Sequence, residues 1–304
     1  MIIKKEKKGN ITIFIVDKEY DDEKMEKKMN TLLKPEHIKT IIDYDADVYT
    51  KEGKLLLRFR KDMLDSKHVD DFYENIIQFA KNVSALRGKS SGSKSQTSYS
   101  DKKVMSNIFG YFDRWSPAHK VIFKKLGKVP SVMVRQCRFN MDYPEKYKKT
   151  IPLIKDIDEL YAKLTPEQYK LQRRKANQTY FKIPGTSFTT VTTNVNFQTS
   201  LHTDKGDDEE GFGNLAVIER GEYTGGETCF PQYSLGVNVR SKDILFMDVH
   251  QPHANLPMHK KSDDCIRLSI VCYLRKNVWL RTKNKTRRFY ESHNRTVKNL
   301  RKKQ

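Results

Sequence analysis

The sequence is poor in cysteine and lacks long apolar runs. Its four cysteines, Cys137, Cys229, Cys265 and Cys272, contain no CxxC pair, which argues against a zinc knuckle or a disulfide framework. No apolar run approaches the ~20 residues needed to span a bilayer, and the N-terminus is too charged for a secretory signal. We therefore expect a soluble intracellular protein, cytoplasmic or nuclear, without a membrane partner. Its 304 residues suffice to bury an ordinary core.

Acidic residues are also few relative to basic ones. The chain has 58 Lys and Arg against 38 Asp and Glu, a formal net charge of +20. Residues 275–304 hold twelve basic residues and one acidic residue, whereas residues 180–274 hold eight and twelve. Trp279, Phe289 and Tyr290 lie among the basic residues, a mixture suited to phosphate contact and base stacking. The sequence thus predicts either a DNA-binding tail or a solvated lysine-rich one.

Two histidines and one aspartate form a candidate metal site. His202 and Asp204 lie two residues apart at the end of a predicted strand, so both should face the same way. His253 follows a predicted buried strand, residues 243–249, and opens a turn punctuated by proline. Two imidazoles and a carboxylate on one face are the typical ligands of non-haem Fe(II) with open coordination positions. His250 is the alternative third histidine; we prefer His253 and predict an outer or substrate-facing role for His250.

A second candidate pair lies on the strand after this site. Arg267 and Ser269 are two residues apart, so a guanidinium and a hydroxyl share one face. Such a pair is suited to binding a carboxylate at the far end of a small molecule. Upstream of His202, alternation places Asn194, Asn196 and Gln198 on the metal side. An ordinary solvated strand face would show the same pattern.

The order HxD, distant His, RxS resembles that of the 2-oxoglutarate/Fe(II) dioxygenases. Within them it resembles the nucleobase-oxidising ten-eleven translocation and base-J-binding branch (TET/JBP), including viral and microbial members. The matching segments are 253–257 and 267–273, together with Gly225–Pro231, which is shared with the wider superfamily. The resemblance covers about residues 188–275. It implies Fe(II), 2-oxoglutarate and O2, and it is compatible with a virus-encoded protein. The absence of the additional zinc sites of TET enzymes is a departure.

The resemblance also implies roles for individual residues. Arg267 and Ser269 would bind the distal carboxylate of 2-oxoglutarate, and Gln198, with Asn196 in the same row, would contact the cosubstrate or the outer shell of the metal. Asp207 matches a position where relatives place a polar residue against the base, and a carboxylate there could accept from cytosine N4. The alternative for Asp207 is a solvated acidic loop, residues 207–210.

Three functions are compatible with these residues. The first is hydroxylation of a pyrimidine methyl group, in 5-methylcytosine or thymine, on a base flipped out of DNA. The second is hydroxylation of a protein side chain or metabolite, for which an acidic pocket mouth favours a basic peptide. The third is a non-catalytic jelly-roll module, which the intact set of candidate ligands makes the weakest hypothesis.

The expected fold is α+β, with a double-stranded β-helix (jelly-roll, cupin-like) core, flanking helices and an α/β N-terminal extension. We predict a helix over 21–33, a hairpin over 48–60, a helix over 69–83, a strand over 132–139 and helices over 156–164 and 166–177. The predicted segments are the extension (1–86), a Gly/Ser-rich linker or lid (87–101), the dioxygenase domain (102–275) and the basic tail (276–304).

Overall fold

The structure is a computed structural model that describes residues 1–84, 89–92, 104–115, 121, 123–125, 127 and 130–301. Its strands are β1 (Ile2–Lys8), β2 (Ile11–Val16), β3 (Thr40–Ile42), β4 (Ala46–Thr50), β5 (Leu55–Arg60), β6 (Ser106–Phe112), β7 (Arg135–Gln136), β8 (Thr190–Val195), β9 (Gly213–Arg220), β10 (Tyr223–Gly225), β11 (Thr228–Phe230), β12 (Leu235–Val237), β13 (Ile244–Met247), β14 (Ala254–Asn255), β15 (Met258–Lys260) and β16 (Ile266–Tyr273). Its helices are α1 (Asp22–Lys28), α2 (Ser66–Ala80), α3 (Arg138–Asp142), α4 (Pro144–Leu164), α5 (Pro166–Ala176), α6 (Lys276–Thr282) and α7 (Arg287–Arg301).

The chain divides into two compact units, each built from separated segments. The first unit comprises Met1–Asn107, Thr193–Lys205 and Phe212–Val271. The second comprises Ile108–Thr192, Gly206–Gly211 and Cys272–Gln304.

Two main sheets form the first unit. In the larger one, strands follow the order β1-β2-β4-β5-β13-β9-β16, and the smaller one has the order β14-β11-β12-β3. The β2–β4 and β12–β3 pairs are parallel, whereas β1–β2, β4–β5, β5–β13, β13–β9, β11–β12 and β11–β14 are antiparallel. A short third ladder joins β10 to β15. Because β5 pairs with β13, the N-terminal residues extend the sheet that leads to the candidate site.

The core of the first unit joins side chains of both main sheets. Phe14, Phe59 and Leu245 come from the larger sheet, and Phe230 and Leu235 come from the smaller one, all in a single buried cluster. Burying one apolar face of each sheet against the other is the arrangement of a β-sandwich or jelly-roll.

The second unit is mainly helical. Its β6 residues pair with β7 through Tyr111↔Gln136 and Phe112↔Arg135. Helices α4 and α5 follow one another, and Tyr161 packs edge-to-face on Tyr169. Thr165 precedes α5 but does not cap it through its side chain, since its hydroxyl donates to the Tyr161 carbonyl. No helix in the described residues is long and apolar enough to cross a membrane.

The predicted jelly-roll architecture with flanking helices agrees with the structure, but several element boundaries differ. The hairpin at 48–60 appears as β4 and β5, and the helix predicted over 69–83 is α2. The strand predicted over 132–139 was wrong, since only Arg135–Gln136 are extended before α3 begins. Helix α1 ends at Lys28, well before the predicted end. The four-segment division of the chain stays a prediction.

Candidate metal centre and cosubstrate site

Three side chains of the first unit converge into one potential metal site. The Nε2 atom of His202 lies 3.7 Å from Oδ1 of Asp204, and Nε2 of His253 lies 3.7 Å from Oδ2 of the same carboxylate. One ligand atom from each residue lies within 4.8 Å of the other two. Two neutral imidazoles and a carboxylate are a donor set that fits Fe(II). These are the three residues that the sequence predicted as ligands.

Backbone carbonyls orient both imidazoles. Nδ1 of His202 donates to the Ser200 carbonyl (2.7 Å), and Nδ1 of His253 donates to the Gln251 carbonyl (2.9 Å). Each donation leaves the Nε2 lone pair for a metal, a common arrangement for metal-binding histidines. Burial, with His202 nearby, lowers the pKa of His253 to about 4, so its imidazole is neutral at pH 7. Protons therefore do not compete for this nitrogen.

Backbone hydrogen bonds, not a continuous strand, bring the ligands together. Strand β8 ends at Val195, because Asn196 adopts a left-handed φ of 48°. His202 instead forms an isolated antiparallel bridge with His253, through reciprocal N–H to carbonyl bonds of 3.0 and 2.9 Å. The amide of Asp204 donates to the Val249 carbonyl (3.0 Å). The predicted strand through residue 202 was wrong, although the expected convergence is present.

Two predicted cosubstrate residues support the ligand loop. Asn196 donates from its side chain to the Cys265 carbonyl and accepts from the Arg267 amide. Gln198 donates to the carbonyls of Leu33 (3.0 Å) and Asn255 (3.1 Å). These bonds engage the Asn196 amide and the Gln198 Nε2 within the loop, and the contact of both residues with the cosubstrate stays a prediction. Their contacts hold the segment between β8 and His202.

Asn255 is a supporting residue that the sequence did not single out. Its side chain accepts from the Thr199 hydroxyl (2.6 Å) and donates towards the Gly226 and Glu227 carbonyls and the Thr228 hydroxyl. It thereby ties the ligand loop to the turn before β11. The sequence contains a signal for this residue: Asn255 lies two residues after His253, and side chains two residues apart on an extended segment point to the same side.

Arg267 and Ser269 lie on β16, both buried in the first unit. The Arg267 side chain is 5% exposed, and its Nη2 atom has no hydrogen-bond partner among the described residues. Burial lowers the pKa of Arg267, an effect opposed by the nearby Tyr223 hydroxyl. The Ser269 hydroxyl accepts from the Asn194 side chain (3.3 Å). An unpaired buried guanidinium nitrogen is costly, so this site fits a bound carboxylate.

The acidic loop after Asp204 is neutralised within the second unit. Lys175 forms ion pairs with Asp208 and Glu210, and Lys276 forms one with Glu209. Asp207 is 6% exposed and forms an isolated backbone bridge with Arg275. The loop is therefore not a free acidic surface, and the charge argument for a basic peptide substrate loses its support. The base-contacting role of Asp207 stays a prediction.

His250 lies outside the three-residue group. Its amide donates to the Asp248 carboxylate (3.0 Å) in the turn before His253. Asp248 also accepts from the Gln251 side chain (3.2 Å), so the same carboxylate closes this turn. The preference for His253 as third ligand agrees with this geometry, and the substrate-facing role of His250 stays a prediction.

The basic C-terminal segment is folded. It forms helices α6 and α7, and Phe289 and Tyr290 pack on a buried cluster that includes Tyr111 and Phe181. The His293 ring lies 2.7 Å from the Val134 carbonyl and is buried. Phe289 and Tyr290, predicted as candidates for base stacking, are therefore partly buried against the core of the second unit. A solvated tail is likewise wrong for residues 276–301.

The sequence of this chain matches a family of oxygenase domains and several known proteins. Residues 121–276 match the family model Tet_JBP, the oxygenase domain of the 2OGFeDO superfamily. The bifunctional helicase and thymine dioxygenase JBP2 of Leishmania infantum is 38% identical over 124 residues, which are 41% of this chain and 11% of that protein. Thymine dioxygenase JBP1 of Trypanosoma brucei brucei is 31% identical over 173 residues, which are 56% and 19%. The matches thus span about a tenth to a fifth of these relatives.

A solved structure shares the fold. The structure of NgTET1 in complex with 5mC DNA superposes with a TM-score of 0.54 at 13% sequence identity, and the match covers 92% of this chain and 90% of that one. At this identity the likeness concerns architecture alone, in agreement with the jelly-roll of the first unit. The family match extends over half of the sequence and includes the three converging ligands, Arg267 and Ser269, so the chain belongs to the Tet_JBP family of 2-oxoglutarate/Fe(II) oxygenase domains.

Proposed function

We propose that this protein is an Fe(II)- and 2-oxoglutarate-dependent dioxygenase that hydroxylates the methyl group of a pyrimidine base in DNA. The observation that carries the proposal is the pairing of two features in one unit. One is the group His202, Asp204 and His253; the other is the buried Arg267, whose Nη2 has no partner among the described residues. The first suits a metal with open positions, and the second suits a dicarboxylate cosubstrate.

Each side chain has a defined task in this reaction. His202, Asp204 and His253 would hold Fe(II), with both imidazoles fixed in the Nδ1–H form by backbone carbonyls. Arg267 and Ser269 would bind the distal carboxylate of 2-oxoglutarate. Iron, 2-oxoglutarate and O2 together supply the oxidant for an unactivated C–H bond. The protein orients the cosubstrate and keeps it in a buried environment.

Thymine and 5-methylcytosine are the two candidate bases, since both carry a methyl group on C5 whose C–H bond would be oxidised. The relatives that match in sequence are named thymine dioxygenases, which favours thymine. The NgTET1 complex contains 5mC DNA, and its likeness to this chain is one of fold. A base within a duplex must leave the stack to bring its methyl group to the metal, so base flipping is part of the proposal.

The proposal includes DNA contact through helix α7 of the second unit. Its inner side, with Phe289, Tyr290 and His293, packs on the protein. Arg288, Arg295 and Lys298 are exposed, and spacings of seven and three residues place them on one side of the helix. A row of cations on a fixed helix is suited to phosphates. The packed inner side also means that deleting the segment would disturb folding, so charge reversal is the better test.

Product analysis tests the substrate. Purified protein is incubated with Fe(II), 2-oxoglutarate and duplex DNA with or without 5-methylcytosine, and the digested nucleosides are analysed by mass spectrometry. We expect 5-hydroxymethyluracil, 5-hydroxymethylcytosine or both, and none with His202→Ala. Succinate formation with protein or metabolite extracts but never with DNA would favour the alternative hydroxylase. No succinate under any condition would overturn the enzymatic proposal.

Binding assays test the surface. Replacing Arg288, Arg295 and Lys298 with Glu should weaken duplex binding and flatten its salt dependence by about 0.9 in log K per lost phosphate contact. A Lys24→Glu, Lys27→Glu variant changes exposed lysines of α1 and serves as the control. Equal salt slopes for the α7 variant and the wild type would remove α7 from the interface.

A further inference from the structure

Asn194 of β8 lies between two serines of the first unit, and no functional assignment above uses it. Its side chain donates from Nδ2 to the Ser269 hydroxyl (3.3 Å) and accepts at Oδ1 from the Ser106 hydroxyl (2.5 Å). Both serines are buried. The three side chains therefore form one line of hydrogen bonds, and the line ends at a residue that is assigned to the cosubstrate.

Main-chain hydrogen bonds fix the position of Asn194 in this line. The amide of Val195 donates to the Met105 carbonyl (2.9 Å), on the residue before β6. The amide of Asn196 donates to the Arg267 carbonyl of β16 (3.0 Å). These bonds attach the end of β8 to both strands that carry the serines. The Asn194 side chain is thereby kept between its two partners.

The direction of the two side-chain bonds determines what the Ser269 hydroxyl can do. An amide NH2 group can only donate, so the Ser269 oxygen accepts from Asn194 and keeps its own hydrogen. Among the described residues that hydrogen has no acceptor. Ser106 acts one step earlier, because its bond to Oδ1 turns Nδ2 towards Ser269. The result is a free hydroxyl donor on the same strand as Arg267, whose Nη2 is also without a partner there.

We propose that Asn194 is a positioning residue that keeps the Ser269 hydroxyl as a donor for the distal carboxylate of the cosubstrate, with Ser106 fixing the orientation of the Asn194 amide. The proposal rests on the 2-oxoglutarate dependence proposed above. Without Asn194 the Ser269 hydroxyl can rotate, so the donor has to be oriented each time the carboxylate binds. Asn194 does not need to touch the cosubstrate. Because it acts through Ser269, its contribution is measurable as a coupling between the two residues.

A binding assay without turnover tests the proposal. Calorimetry measures 2-oxoglutarate binding to Mn²⁺-loaded protein under anaerobic conditions, in parallel with oxalate, which chelates a metal ion but has no distal carboxylate. Asn194→Ala should weaken the Kd for 2-oxoglutarate about two- to tenfold, the size of one neutral hydrogen bond. Its oxalate affinity and metal stoichiometry should match those of the wild type. Asn194→Asp should weaken 2-oxoglutarate binding further, because a carboxylate accepts the Ser269 hydrogen and repels the ligand.

A double-mutant cycle separates action through Ser269 from a general structural role. In a Ser269→Ala background, Asn194→Ala should cause no further loss of 2-oxoglutarate affinity, whereas independent effects would add. Ser106→Ala should weaken binding less than Asn194→Ala does, and the two changes together should weaken it no more than Asn194→Ala alone. Asn107→Ala is the matched control, because Asn107 is a half-buried asparagine of β6 whose side chain donates to two backbone carbonyls outside this line. It should bind 2-oxoglutarate as the wild type does.

The outcomes are distinguishable. A wild-type protein that binds 2-oxoglutarate, together with an Asn194→Ala variant of equal affinity, would overturn the role of Asn194 and leave the proposed function intact. Additive losses for Asn194→Ala and Ser269→Ala would also overturn it, because Asn194 would then act independently of Ser269. So would parallel losses for 2-oxoglutarate, oxalate and Mn²⁺, which indicate a structural defect. A wild-type protein that binds no 2-oxoglutarate would overturn the proposed function itself.

Discussion

Replacing Arg267 with Lys probes the cosubstrate site most directly. Arg267 is 5% exposed, so solvent screens its interactions little, and Nη2 has no partner among the described residues. Lysine keeps one positive charge but loses the planar fork that binds a carboxylate through two nitrogens. This change weakens a single charge-assisted contact.

The magnitude follows from that contact. A hydrogen bond to a charged group contributes about 1.5–3 kcal/mol, which corresponds to roughly a 10- to 100-fold change in Kd. We therefore expect Arg267→Lys to raise the Kd and the KM for 2-oxoglutarate by at least about tenfold. Because the metal ligands lie on other segments, metal stoichiometry should stay that of the wild type.

Calorimetry on the Mn²⁺-loaded protein and steady-state succinate formation measure these two constants. Arg220→Lys is the control, since the Arg220 guanidinium lies over the Tyr73 ring and pairs with Asp70, and its side chain is 40% exposed. An Arg267→Lys variant with wild-type Kd and KM would refute the reasoning, because the distal carboxylate would then be bound elsewhere.

Three further outcomes follow from the site. His253→Ala should abolish stoichiometric metal binding whereas His250→Ala retains it; the opposite pattern, measured by metal analysis, would reverse the ligand assignment. Asn255→Ala should weaken metal affinity by roughly 10-fold or more, as loss of outer-shell support commonly does; an unchanged metal titration would limit Asn255 to the fold. Gly226→Ala should impair 2-oxoglutarate binding, since its Cβ would press on Arg267 at a φ of 78°; wild-type affinity would show that the arginine can shift freely.

Much of the metal site could be predicted because several of its residues lie close together in sequence, at spacings that place side chains on one side of an extended segment. His202 with Asp204, and Arg267 with Ser269, are each separated by two residues, and His253 opens a turn marked by proline. The paired spacing survives in the structure even though β8 ends at Val195. The single left-handed residue that ends the strand, Asn196, could not be recognised from alternation.

The supporting residues were harder to predict because their partners are distant in sequence. Gln198 donates to the Leu33 carbonyl, 165 positions away, and the Asn196 side chain accepts from the Arg267 amide, 71 positions away. The sequence of α7 predicts a tail because its many basic residues obscure an apolar stripe. Its side with Phe289, Tyr290 and Val297 shows helical spacing once the basic residues are set aside.

The reciprocal backbone bridge between His202 and His253 has a consequence for the metal-free protein. Since main-chain bonds hold the two histidines and do not require a metal, chelation should remove the ion without unfolding the segments that bind it. Reloading then needs little more than side-chain adjustment, so it should be rapid and should restore the original stoichiometry. The gain in thermal stability on loading would rise only with the logarithm of free metal concentration, as for a ligand entering a preformed cavity.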